Sequence, residues 1–110
     1  MCGRFAQRTP VKKLAKAYGV EDAPEYEARY NIAPTQVVLG VRRTPGGREM
    51  KYLKWGLVPS WAKDASMGAK LFNARSEAVT EKPSFRDAFK RRPCLIPSDG
   101  FYEFMWTFPR

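Results

Sequence analysis

The 110-residue sequence contains no histidine. That absence excludes Ser-His-Asp and Cys-His catalysis within the chain, and with them the common His-containing zinc sites. Cysteine is scarce, with only Cys2 and Cys94 near opposite ends. Without a secretory leader, two such residues read as reduced thiols rather than a disulfide framework. Residues 1–8 lack the apolar core of a signal peptide, and no run approaches the roughly 18 apolar residues of a membrane span. A soluble cytoplasmic protein with no membrane partner is expected, or a nuclear one in a eukaryote. Acidic residues are few, 11 against 20 Lys plus Arg, for a formal charge of +9. On so small a chain that surplus suggests a polyanionic partner, nucleic acid first, against the alternative of a plain lysine-rich surface. No metal or cofactor is expected, and catalysis is left to Cys, Asp, Glu, Lys, Asn, Tyr or the terminal amine.

What is present argues for a folded domain, since 44% of residues are hydrophobic and 14% aromatic. Residues 2–6 can open a short strand. Thr9-Pro10 reads as a helix N-cap and first-turn proline, Val11, Leu14, Ala15 and Tyr18 recur at helical spacing, and Gly19 ends the helix. Residues 23–35, punctuated by Pro24 and Pro34, read as irregular. Residues 36–43 and 48–57 form a hairpin about Thr44-Pro45-Gly46-Gly47. A helical turn is expected within residues 73–79, a helix over 83–90, and two more strands over 94–97 and 101–106. The class is α+β, mainly antiparallel β-sheets in a barrel-like arrangement with short helices.

The most informative residue is Cys2. A small residue after the initiator methionine permits its removal, which leaves a 1,2-aminothiol that no internal cysteine possesses. An α-amine titrates near about 7.7–8.0, so part of it is neutral at pH 7. A neutral amine attacks an aldehyde to give an imine, and the adjacent sulfur closes on that carbon to a five-membered thiazolidine. Amine and thiol are covalently held together, so closure has a large proximity advantage. The chemistry favours carbonyl substrates. The structural alternative is a small packed residue in an N-terminal strand. Gly3 permits close approach of a ligand, and Arg4 is suited to holding a phosphate.

Five blocks occur in order: Met1-Cys2-Gly3-Arg4-Phe5, Tyr30-Asn31-Ile32-Ala33-Pro34, Trp55-Gly56-Leu57-Val58-Pro59-Ser60-Trp61, Asn73-Ala74-Arg75-Ser76-Glu77, and the stretch from Cys94 through Pro97-Ser98-Asp99-Gly100 to Glu103. On these the sequence resembles the SOS-response-associated peptidase family, also called abasic-site processing proteins, from Met1 to about Glu103. The resemblance implies binding of single-stranded DNA and covalent trapping of abasic sites, whose opened deoxyribose is an aldehyde. It implies Cys2 as nucleophile, Asn73 orienting the sugar, and Glu103 shuttling protons from apolar surroundings. Asn73 has an alternative role as a helix cap, and Glu103 as a carboxylate on an edge strand. Arg75 matches a phosphate contact, while Asn31, Pro34 and Trp61 match positions around the DNA, where proline and tryptophan wedge against or stack on bases. Trp55 reads as core packing and Cys94 as packing in an apolar strand. Lys82, Arg86, Lys90, Arg91 and Arg92 read as phosphate contacts or as a solvated face.

Two departures stand out. The family pattern carries a histidine in a His-Xaa-Arg-Met-Pro-like stretch, which this sequence does not contain, and residues after Glu103 diverge from it. Residues 1–110 therefore read as the N-terminal part of an abasic-site processing domain. Phe101, Phe104, Trp106 and Phe108 are then expected on exposed strand surface, with self-association through it. Two other functions stay open: a non-catalytic single-stranded DNA binder or inactive remnant, and a cysteine peptidase acting in self-processing.

Overall fold

A computed structural model describes residues 2–103. Its elements run β1 (Phe5–Gln7), α1 (Val11–Tyr18), β2 (Arg29–Ile32), β3 (Val37–Thr44), β4 (Gly47–Lys54), a 3-10 turn (Ala65–Ala69), α2 (Arg86–Arg91), β5 (Cys94–Leu95) and β6 (Gly100–Phe101). They build two antiparallel three-stranded sheets, ordered β2-β1-β6 and β4-β3-β5. The class is α+β as expected. The barrel-like arrangement is not: among the described residues the two sheets stay separate and no barrel closes.

The hairpin β3–β4 is the longest regular unit, paired from Val37↔Lys54 to Thr44↔Gly47 around Pro45-Gly46. Alternation along it feeds two cores, because successive strand residues point to opposite faces. Leu39, Val41 and Met50 pack with Ala15 and Val20 beneath α1. Val38 packs on the other side with Phe5 and Ile32, against Leu53, Trp55 and Cys2. Ile32 and Leu39 are fully buried, each side chain contributing about 1.5–3 kcal/mol by leaving water.

One buried polar side chain joins the sheets. Gln7 Nε2 donates to the carbonyls of Leu39 and Pro97, both at 2.8 Å. Its Oε1 accepts from Tyr26 Oη at 2.8 Å and from Leu39 N at 3.1 Å. With all four bonds made, the cost of taking the amide out of water is offset and its bonds set the position of β1 against β3.

Several sequence expectations are corrected. Thr9 does not cap α1. Pro10 occupies the N-cap and makes no side-chain bond there, while Thr9 Oγ1 donates to Asp99. The helix end is as read: Gly19 sits at φ 68° and Val20 N closes on Ala15 O at 2.8 Å. Residues 29–32, assigned to an irregular stretch, form β2 because they pair with β1. In the stretch expected to hold a helical turn or short helix, turns run over residues 76–81 and no helix forms. The late strands are two residues each and enter different sheets, β5 beside β3 and β6 beside β1. The predicted Phe104, Trp106 and Phe108 surface lies outside the described residues.

Asp99 ties the C-terminal strand to the N-terminal segment. Its carboxylate accepts from Arg8 N at 2.6 Å, Thr9 N at 3.0 Å and the Thr9 hydroxyl. These bonds, the Thr9 hydroxyl first, hold the carboxyl below the ordinary carboxylate range. A depressed folded pKa gives stability that is fully present above the unfolded value, near about 3.9, and is lost as pH falls through the folded value. Urea midpoints should therefore fall from pH 5 toward pH 2, and Asp99→Asn should flatten that decline. An identical pH slope in Asp99→Asn would remove Asp99 from the account.

Candidate active site

The N-terminal segment enters β1 beside the stretch that follows the 3-10 turn. Asn73 Nδ2 donates to Cys2 O at 2.7 Å. That bond replaces the helix-capping role open to Asn73, since the residues after it form turns. Cys2 is partly buried, and its Sγ lies 3.5 Å from Arg4 O. Tyr102 N donates to the same carbonyl at 2.9 Å, which lays the end of β6 alongside residue 4.

Cys2, Asn73 and Glu103 line one open trough of about 800 Å³, whose walls are mostly apolar: Val38, Leu53, Trp55, Phe72, Phe101. The three residues singled out for catalysis, 71 and 101 positions from the first to the others, are thus brought to one concavity. Glu103 is exposed just past β6, which fits its alternative reading as an exposed carboxylate rather than a buried one. Cys94 also lines the trough from edge strand β5 and is exposed as a residue, a correction to its reading as packing. Local burial of its sulfur pushes the thiol above its ordinary value.

The five residues expected to contact DNA do not line the trough. Arg4 donates to Asn31 Oδ1 at 3.1 Å, joining two of them on the exposed side of β1–β2. Pro34 is half-buried in a turn closed by Gln36 N to Ala33 O at 3.2 Å. Thr35 beside it takes φ 75°, an unfavourable value for a β-branched residue. Trp61 is 58% exposed in the loop after β4, as a stacking platform requires. Arg75 is exposed two residues beyond Asn73. On α2, Arg91 pairs with Asp87 at 3.2 Å, which fits a solvated face, while Arg92 borders the trough.

Trp55 packs against the core as expected, and its indole Nε1 also donates to Phe72 O at 2.7 Å, one residue from Asn73. Nothing local to Trp55 predicts this, because the partner is 17 residues away. Among the described residues no group of three or more Cys, Asp or Glu is placed to hold a metal ion, and no helix is long and apolar enough to cross a membrane.

The family model described as SOS response associated peptidase matches residues 1–108. The chain is 39% identical over 106 residues to the abasic site processing protein YoaM of Bacillus subtilis, covering 94% of this chain and 47% of that one. It is 32% identical to mouse abasic site processing protein HMCES, over 94% of this chain and 36% of the relative. A crystal structure of a Bordetella bronchiseptica protein superposes with TM-score 0.73 at 25% identity, covering 93% of this chain and 50% of that chain. The chain spans about half the length of the bacterial relatives it matches.

Proposed function

Because the chain belongs to the SOS response associated peptidase family, we propose that it binds single-stranded DNA and traps abasic sites covalently through Cys2. The single observation that supports this most is the meeting of Cys2, Asn73 and Glu103 at one trough. The relatives are named for abasic site processing, and an abasic sugar is the aldehyde that an aminothiol selects. Residues 1–110 correspond in this reading to the N-terminal part of the relatives' domain. The compartment is wherever the DNA lies, the cytoplasm in a bacterium or the nucleus in a eukaryote.

The chemistry runs in two steps after removal of Met1. The neutral Cys2 amine adds to the sugar aldehyde, and loss of one water leaves an imine. The Cys2 sulfur then adds to the imine carbon, its proton passes to the nitrogen, and a thiazolidine closes. The Asn73 bond to Cys2 O holds the main chain of the nucleophile still during both steps, which lowers the entropy to be lost at closure. Glu103 at the trough edge moves the protons of carbinolamine dehydration. Arg4, Asn31, Pro34, Trp61 and Arg75 carry the strand outside the trough, with phosphates on the arginines and a base on Trp61, each stack contributing about 1–3 kcal/mol.

Protein with a verified Cys2 N-terminus, incubated with single-stranded DNA carrying one abasic site, should give a slower band on a denaturing gel. Intact DNA of the same sequence should give none. If intact and abasic strands bind equally, with steep salt dependence and no adduct, the protein is a non-catalytic binder held by counterion release. Hydrolysis of the Met1–Cys2 bond by the purified chain itself would instead favour the peptidase reading.

The two short strands also expose apolar surface, with Leu95 60% accessible on β5 and Phe101 64% accessible on β6 at the trough. Those two-residue edges can pair with another strand, so self-association of this chain is expected. Sedimentation should show a weight-average mass rising with concentration, and Phe101→Lys should suppress the rise. A concentration-independent monomer would count against it.

A further inference from the structure

Trp55 joins the three segments on which the site depends. Its ring packs edge-on against Phe5, centroids 5.2 Å apart at 78°, three residues from Cys2. It packs edge-on against Phe72 as well, at 6.1 Å and 87°. The indole Nε1–H donates to Phe72 O at 2.7 Å, and Phe72 immediately precedes Asn73. The main chain of Trp55 accepts from Thr35 N at 2.8 Å and donates to Gln36 O at 2.9 Å, holding the strained turn after Pro34. The carbonyl of Phe72 is thus fixed by a side chain that Phe5 and Phe72 wedge from two sides.

We propose that Trp55 is a positioning residue whose indole N–H sets the main chain at Phe72 so that Asn73 reaches Cys2 O. It acts through Asn73 and does not touch the reacting atoms. This inference rests on the abasic-site reading for its kinetic consequence, but not for its structural one. The Asn73 side-chain amide has one bond that counts, to Cys2 O, and its donor must lie within a few tenths of an ångström to make it. Removing the indole N–H leaves Phe72 O without its side-chain donor in a partly buried place and lets residues 72–73 drift. A misplacement near 1 Å can cost as much as about a hundredfold in rate.

The test uses the full chain. Trp55→Phe keeps an aromatic ring and removes the donor. A second variant carrying benzothienylalanine at residue 55 keeps the bicyclic shape and removes only the N–H, and serves if Trp55→Phe does not fold. Two measurements are made. In the nuclear magnetic resonance spectrum, the Asn73 side-chain amide should shift toward the position of a solvated amide and exchange faster with water. Adduct formation with abasic single-stranded DNA should slow by about tenfold, yet by less than about twofold when the same change is made in Asn73→Ala.

An unchanged Asn73 amide signal in the donor-less variants overturns the proposal. So does an equal slowing in the Asn73→Ala background, which would mean that Trp55 acts by a route other than Asn73. If the unmodified protein forms no adduct, the functional reading fails, and the amide signal alone then decides the role of Trp55.

Discussion

Cys2→Ala is expected to abolish the denaturation-resistant adduct with abasic single-stranded DNA, a loss of at least about a hundredfold against the unmodified protein. The alanine variant still presents an α-amine and can form an imine. That imine hydrolyses readily, because nothing closes on it. The sulfur of Cys2 sits on the same residue as the amine, and well-placed intramolecular reactions of this kind reach effective molarities of about 10⁵–10⁸ M. No other thiol replaces it. Cys94 lines the trough from β5, carries no terminal amine, and has its thiol pushed up by local burial, which lowers its thiolate content. Cys2→Ser should behave as the alanine variant does on the gel, while borohydride should capture the imine from either. A variant that retains Met1 should give no thiazolidine adduct, since its Cys2 nitrogen is an amide and the free amine then sits on Met1, away from the thiol. Equal adduct from Cys2→Ala would show that the covalent link is made elsewhere.

The second large effect concerns Gly56, where β4 leaves the sheet. Gly56 takes φ 133°, and a Cβ there would lie 2.1 Å from Gly68 O and 2.8 Å from Gly68 C. The obstacle is backbone, so no rotamer change relieves it. A side chain at such a φ costs about 1–3 kcal/mol, and overpacking adds about 1–3 kcal/mol. Gly56→Ala should therefore destabilise the protein by about 3 kcal/mol or more, a large part of the 5–15 kcal/mol typical of a domain. The damage should extend to the site. Leu57 N bonds Leu71 O at 2.9 Å just beyond the glycine pair, and that bond leads into Phe72 and Asn73. Gly3→Ala is the control, because nothing lies within 4 Å of a Cβ placed there. Urea unfolding midpoints compare the two. Equal midpoints for Gly56→Ala and Gly3→Ala would disprove the close approach.

Much of this was legible in the residues. The α1 helix is written in the spacing of Val11, Leu14, Ala15 and Tyr18 and in the stop at Gly19. The β3–β4 hairpin follows from two apolar runs about Pro45-Gly46. Such elements are local: the residues that decide them are within a few positions of one another. The short strands were harder. β2 carries Arg29, Tyr30 and Asn31, which show no apolar alternation, and it exists because β1 supplies its hydrogen bonds. Thr9 reads as a helix cap, and it joins Asp99 in a single bonded unit only when β6 lies beside β1.

For the site, the sequence alone pointed to Cys2 as the candidate nucleophile and to aldehydes as its electrophile class, since removal of Met1 would leave an aminothiol at residue 2. It determined that no histidine takes part from this chain, and that the charge suits a polyanion. The tertiary structure decided what those residues do to each other. It bonded Asn73 to Cys2 O rather than to a helix end, left Glu103 exposed at the trough edge, and placed Arg4 with Asn31 away from the trough. It kept Trp55 as a packing residue and also made it the link between three segments. The reason is range. Reactivity is a property of a side chain and its immediate neighbours, whereas a contact across 17, 27 or 71 positions depends on how two sheets and the 3-10 turn settle against one another, and no local spacing encodes that.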